Sequence, residues 1–196
     1  MNNEPEILLM FSGGLDSTGV FYKLIKENRK LHVHHMHLFN KENRQKAEEI
    51  AVKNICEYMK NMGNFSYSES NHEYPCYKKN FMWDSDLYNF MAGTICLSLP
   101  SIKEVALGRT KTDSGRAIDD RAKRGTVIFE SFDTNAKKTY PLIEYTKKEI
   151  YEMLPQDLRT LTWSCRTPIY EGENIKKCRR CKACYELVFK NSPKQQ

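Results

Sequence analysis

A chain of 196 residues with 40% apolar, 11% aromatic and 29% charged residues is long enough to bury a sizeable core, and its composition is in the ordinary globular range, which excludes a disordered chain. The formal net charge of +6 suits a nucleic acid and a small anionic substrate equally, so charge alone does not choose between them. No segment has the apolar length of a membrane span, and the acidic start at Glu4 and Glu6 lacks the features of an export signal, so a cytoplasmic location is expected.

Ile7 to Phe11 is a continuous apolar run, read as a buried strand, that breaks at Ser12-Gly13-Gly14 and resumes with Leu15-Asp16-Ser17-Thr18 as a helix start. The paired glycines permit positive φ and present bare amides, and Asp16, Ser17 and Thr18 offer N-cap oxygens. Amides converging at a helix N-terminus make an anion site. No lysine lies in this loop, which separates it from the G-x-x-x-x-G-K-[ST] phosphate loop.

Val20, Phe21, Leu24 and Ile25 carry the helix to about Asn28, and 31–39 is the second strand. Its alternation puts His35 and His37 on the face of Leu31, Val33 and Phe39, with His32 and His34 opposite. No carboxylate or cysteine at ligand spacing accompanies these histidines, so they do not read as a metal site. His37, at the carboxyl end of the strand, is placed to touch a nucleotide or substrate. A long helix is expected over 43–62, with Ala47, Ile50, Ala51, Ile55 and Met59 as its apolar stripe and Gly63 ending it.

The spacing then predicts a strand over 65–68, a loop over 71–79, and a helix over 87–99 that is apolar nearly all round and stopped by Pro100. A short strand over 104–108 opens into a charged loop over 109–120, which a parallel sheet places beside the Ser-Gly-Gly loop. Residues 127–132 read either as a strand or as a helix end. Thr146 and Glu149 form a capping box for the next helix. Strands alternating with helices from Ile7 to Leu154 predict an α/β, doubly wound, mainly parallel sheet. The expected division is a domain over 1–160, a metal-binding segment over 161–190 and a frayed tail over 191–196.

Seven cysteines, an odd number without an export signal, argue against a disulfide framework. Cys165, Cys178, Cys181 and Cys184 form C-x12-C-x2-C-x2-C, a spacing suited to a closed tetrahedral zinc cage. Four thiolates leave no open coordination position, so the metal reads as structural; an iron–sulfur cluster or a redox thiol pair are the alternatives. Cys56, Cys76 and Cys96 read as small core residues, and the dense basic run from Lys176 to Lys182 as a solvated face.

The order S-G-G-x-D-S resembles the pyrophosphate loop of the N-type ATP pyrophosphatases, which have an adenine nucleotide alpha hydrolase-like fold. Together with the cysteine spacing, with His37, Gly108, Thr112-Asp113, Asp119-x-Arg121 and Pro141-Leu142 with Lys147 and Glu149, and with Thr162-Trp163-Ser164-Cys165, the chain resembles the 7-cyano-7-deazaguanine synthases. That resemblance implies ATP, Mg²⁺ and Zn²⁺ as cofactors, and 7-carboxy-7-deazaguanine and ammonia as substrates. It implies no membrane and no required nucleic acid, and a homodimer fits it. It carries ATP binding to Phe11, Ser12, Gly13, Gly14, Leu15, Asp16, Ser17, Thr18, His37 and Gly108, with Ser12, Asp16 and Ser17 catalytic. Substrate binding falls to Thr112, Asp113, Asp119 and Arg121: Asp113 to accept paired hydrogen bonds from a guanine-like edge, Arg121 to meet the substrate carboxylate or the charge developing at phosphorus. The chain departs from the family at 80–86, where Asn-Phe-Met-Trp-Asp-Ser-Asp replaces a Val-Pro-Gly-Arg-Asn-like stretch, and at the basic Arg109 and Lys111. The alternatives are an enzyme that stops at the amide or activates another carboxylate, a thiolase-type tRNA modifier that needs a reactive cysteine, and a zinc-ribbon nucleic-acid-binding module.

Overall fold

The five residues Ile7–Phe11 (β1) are buried on both faces, and that requirement organises the molecule: an all-apolar strand must be sandwiched. A computed structural model describes residues 4–74, 83–113 and 115–188. In it β1 is the middle of a five-stranded sheet with β2 (Leu31–Phe39), β3 (Phe65–Glu73), β4 (Glu104–Ala106) and β5 (Lys137–Thr139), in the order β3-β2-β1-β4-β5. Every pairing is parallel. Helices cover both faces. On one, Ile7, Leu9 and Phe11 pack with Val20, Phe21 and Leu24 of α1 (Leu15–Lys26) and with Ala51, Val52 and Ile55 of α2 (Gln45–Lys60). On the other, Leu8 and Met10 pack with Ala92 and Cys96 of α3 (Asp84–Ser98) and Phe129 of α4 (Arg116–Glu130).

The strand order reverses between β1 and β4, so the crevice beyond their carboxyl ends is where an open α/β sheet takes ligands. The capping box holds: Thr146 Oγ1 accepts from the Glu149 amide at 3.3 Å and Glu149 Oε2 accepts from the Thr146 amide at 2.7 Å, opening α5 (Lys147–Met153). A short helix α6 (Gln156–Leu161), the hairpin of β6 (Ile169–Glu171) and β7 (Asn174–Lys176), and α7 (Lys182–Val188) complete the chain. Among the described residues no helix is long and apolar enough to cross a membrane.

Several sequence expectations are corrected. β3 runs nine residues rather than four, because past Ser68 it is held by polar rather than apolar pairing. Ser66, Ser68 and Ser70 alternate with His32, His34 and His72 in one hydrogen-bonded row: Ser66 Oγ to His32 Nδ1 2.8 Å, His32 Nε2 to Ser68 Oγ 2.7 Å, Ser68 Oγ to His34 Nδ1 2.7 Å, His34 Nε2 to Ser70 Oγ 2.9 Å, Ser70 Oγ to His72 Nε2 2.7 Å. Ile50 points to solvent at 46% exposure, its place in the α2 stripe taken by Val52 and Cys56. α3 begins at Asp84 and leaves Phe90 and Leu97 half-exposed, so it is not buried all round. α4 occupies residues assigned to the charged loop and ends through Val127 and Phe129, which settles 127–130 as helix. Cys56 and Cys96 are core residues, as expected. Cys76, residues 80–82 of the stretch departing from the family at 80–86, and the 191–196 tail lie outside the described residues.

Candidate functional site

β1 ends at Phe11 and the chain turns through Gly13, whose φ of +72° only glycine adopts freely. Gly14 is extended (φ −78°) and is itself the N-cap residue of α1, with no side-chain cap. This corrects the capping role expected of Asp16, Ser17 and Thr18, which lie inside the first turn. There the Ser17 hydroxyl donates to Gly14 O at 3.2 Å and lies 3.1 Å from Ser12 Oγ, while the Gly14 amide donates to Ser12 Oγ at 3.4 Å. The two serines are thus tied to each other across the turn, with their oxygens at the mouth of the crevice.

Gly108, just past β4, packs on this loop. A Cβ there would sit 2.9 Å from the Ser17 nitrogen and 3.1 Å from the Asp16 carbonyl carbon, both backbone atoms that no rotamer change can move. Glycine at 108 is therefore what lets β4 approach α1 closely enough for the two strand ends to share one crevice.

The crevice is a cleft of about 520 Å³. Of the residues expected at a site, Ser12, Gly14, Leu15, Asp16, Ser17, Gly108, Asp113 and Arg121 line it. Phe11, Gly13, Thr18, His37, Thr112 and Asp119 do not line it. Phe11 and Thr18 are fully buried in the structure beneath the loop. His37 lies two residues beyond the part of β2 that pairs with β1, stacks on His35 with ring centroids 4.6 Å apart, and faces Glu69 at 3.4 Å. Asp119, on α4, is held by Arg109 at 2.8 Å, and the Thr112 hydroxyl by that of Thr110 at 2.9 Å.

Lys147, the first residue of α5, brings an ammonium to the loop. Burial alone would lower its pKa, but Asp16, Glu186 and Asp113 outweigh it and the net shift is upward. Its Nζ lies 2.7 Å from Glu186, 3.8 Å from Asp16 and 3.7 Å from Asp113. Asp113 divides its oxygens: Oδ2 accepts from the Thr110 amide and hydroxyl at 3.0 and 2.9 Å, and Oδ1 faces Lys147. Arg121 lies 3.7 Å from the centroid of the Trp83 ring, a cation–π stack on one cleft wall. The Ser85 Oγ and Arg121 Nε atoms, buried in that wall, have no hydrogen-bond partner among the described residues.

Sequence reasoning missed the opposite wall. Buried Arg44 joins Glu48 at 2.5 Å, Glu42 at 2.7 Å and Asp84, while Arg166 reaches Glu42 at 2.7 Å and Asp84 at 3.2 Å. Burial pushes the Glu48 carboxyl up to about 7 against the pull of Arg44. The i, i+4 spacing of Arg44 and Glu48 was the only local signal. Their convergence with Arg166 comes from elements more than a hundred residues apart.

The four cysteines meet. The sulfurs of Cys165, Cys178, Cys181 and Cys184 all lie within 4.8 Å of one another, with Cys178 and Cys184 4.0 Å apart. Thiolates bound to zinc at about 2.3 Å in a tetrahedron sit about 3.8 Å apart, so this donor set fits a metal such as zinc. Amides of Cys178 and Cys181 donate to the sulfurs of Cys165 and Cys178 at 3.3 Å each. The Thr167 hydroxyl, 3.0 Å from Cys178 Sγ, is the first cause holding that thiol down to about 5. The neighbouring basic run is partly neutralised within the fold: Lys176 meets Glu171 at 2.5 Å and Lys177 donates to Thr162 O at 3.2 Å.

Neither a scan of protein-family models nor a search of curated proteins finds a match to this chain.

Proposed function

We propose that the protein activates a carboxylate with ATP, releasing AMP and pyrophosphate, and that the acceptor is 7-carboxy-7-deazaguanine, converted with ammonia to the 7-cyano product. The observation that carries this reading is the Ser12–Thr18 loop at the strand-order switch, its serine hydroxyls and Lys147 turned to one cleft. In the proposed reaction the carboxylate oxygen attacks the α-phosphorus and pyrophosphate leaves. Ammonia then displaces AMP to give the amide, and activation of the amide oxygen by a second ATP lets loss of AMP yield the nitrile. Ser12, Ser17 and the first-turn amides of α1 hold the leaving pyrophosphate, and Lys147 stabilises its developing charge. Asp16 and Asp113, hard oxygen donors facing the same ammonium, are the residues suited to Mg²⁺, which neutralises triphosphate charge when bound. Arg121, fixed on Trp83, meets the acceptor carboxylate.

The sulfur-transfer alternative needs a reactive cysteine by the loop. Among the described residues, the cysteines outside the metal cluster, Cys56 and Cys96, are buried with thiols pushed up to about 12 and 11, and neither lines the cleft; this supports carboxylate activation. The test is incubation with ATP, Mg²⁺, ammonium and 7-carboxy-7-deazaguanine, followed by mass spectrometry. AMP with the nitrile is the expected result, and AMP with the amide alone would shorten the reaction. ADP in place of AMP, or no base conversion, would sink the reading. Ser17→Ala should lower turnover on the order of a hundredfold while the protein stays folded.

A further inference from the structure

The cysteine cluster is not set apart from the cleft; its flanking residues build one wall of it. Trp163, Ser164, Arg166, Ala183 and Glu186 all line the cleft, and each lies within three residues of a clustered cysteine. Two separate arms run from the cysteines to the anion loop. In the first, three consecutive residues do the work: the Trp163 amide donates to Gly13 O at 2.9 Å, Ser164 Oγ accepts from the Leu15 amide at 3.2 Å, and Cys165 is a buried member of the cluster. The Trp163 indole Nε1 closes this arm on Cys165 O at 3.0 Å. In the second, α7 carries both Cys184 and Glu186, and Glu186 holds the Lys147 ammonium that faces Asp16.

We infer that metal binding at Cys165, Cys178, Cys181 and Cys184 and anion binding at the Ser12–Thr18 loop are positively coupled, with Ser164 as the positioning residue between them. The inference rests on the nucleotide reading of the loop and adds a regulation to it. The physical reason is the weak packing of the segment that bears Ser164. Residues 166–182, which follow Ser164 and Cys165 and carry two of the other three cysteines, are exposed or half-exposed and reach the rest of the fold through polar contacts of Arg166, Tyr170 and Lys177, so joining the sulfurs adds the closure that fixes this segment against the turn. Without a metal no bond joins the four sulfurs, and as they part Ser164 leaves the Leu15 amide and Trp163 leaves Gly13. The turn whose φ of +72° shapes the anion site then loses these two hydrogen bonds. Because linkage is reciprocal, whatever factor the metal lends to anion affinity the anion lends to metal affinity.

The experiment uses the full chain and two ligands, zinc and ATP, with Mg²⁺ in excess so that the nucleotide does not itself compete for zinc. Zinc affinity is measured by competition with a chromophoric chelator, with and without saturating ATP. ATP affinity is measured by calorimetry on zinc-loaded wild type, Ser164→Ala and Ser164→Thr. Saturating ATP is expected to tighten zinc on the order of tenfold in the wild type. Ser164→Ala is expected to retain one zinc and an unchanged cobalt-substituted spectrum, to bind ATP more weakly by a similar factor, and to lose most of the tightening; Ser164→Thr restores it. If ATP binds the wild type but leaves zinc affinity unchanged, the coupling is overturned and the nucleotide reading stands. If Ser164→Ala keeps the full tightening, Ser164 is not the link. No ATP binding to the zinc-loaded wild type overturns the nucleotide reading and the coupling with it. Should Ser164→Ala fail to fold, Glu186→Gln is put through the same measurements on the second arm, and full tightening there overturns the coupling through that arm.

Discussion

His34 should make the protein acid-sensitive in a way that one substitution can isolate. Its ring is 3% exposed, its two nitrogens are both engaged by Ser68 and Ser70, and burial, followed by the neighbouring His32 and His35, lowers its pKa from 6.5 to about 4. In the unfolded chain the same ring titrates near its ordinary value. Between these limits the unfolded state binds the extra proton and the native state does not, so stability is fully present above about 6.5 and is lost as pH falls toward 4. At pH 5 the difference amounts to about 2 kcal/mol for this one residue. His35, also lowered to about 4 by burial, acts in the same direction, and Glu48, raised to about 7, acts in the opposite one. Both are shared by wild type and variant, so they cancel in a comparison. Urea unfolding of wild type and His34→Gln at pH 7 and pH 5 is the assay. The wild type should lose about 2 kcal/mol more than the variant over that interval. Equal losses would show that His34 is protonated in the native row, and would refute the account of a neutral histidine–serine ladder.

Cys181→Ala should abolish stoichiometric zinc and lower the melting temperature, checked by elemental analysis and calorimetry, since three thiolates leave the cage open. Gly108→Ala should cost about 1–3 kcal/mol of stability, because the added methyl meets the backbone of Ser17 and Asp16, and should weaken ATP binding as β4 moves away from α1; an unchanged urea midpoint would refute this. Thr146→Ala removes the hydroxyl that accepts from the Glu149 amide and should cost about 1 kcal/mol, read as a lower melting temperature with bound zinc unchanged.

Local order carries part of the fold. An apolar run broken by Ser-Gly-Gly can only be a buried strand entering a turn, and β1 and α1 stand there. Thr146 and Glu149 name their own helix start, and three cysteines at two-residue spacing with a fourth nearby name their own cluster. α4 is hard to read from sequence because charged residues crowd its first turns and only Ile118 and Ala122, one turn apart, mark an apolar side before Val127. The second half of β3 is not legible in the sequence because Ser70 is engaged by His34 of β2 as well as by His72 of its own strand, and nothing within 69–73 announces the partner strand.

The sequence by itself determined the alternating α/β architecture, the anion-loop candidate and the candidate metal ligands, since each depends on periodicity, backbone permissiveness or ligand spacing among neighbours in the chain. Only the tertiary structure decided which candidates share a cleft. It brought Gly108, Asp113, Arg121 and Lys147 to the loop and left His37, Thr112 and Asp119 outside. It also joined the cysteine segment to the turn through Ser164 and Leu15, 149 residues apart. The reason is that a hydrogen bond between distant residues depends on where the sheet order reverses and how closely β4 packs on α1, and neither leaves a periodic mark in the residues it joins.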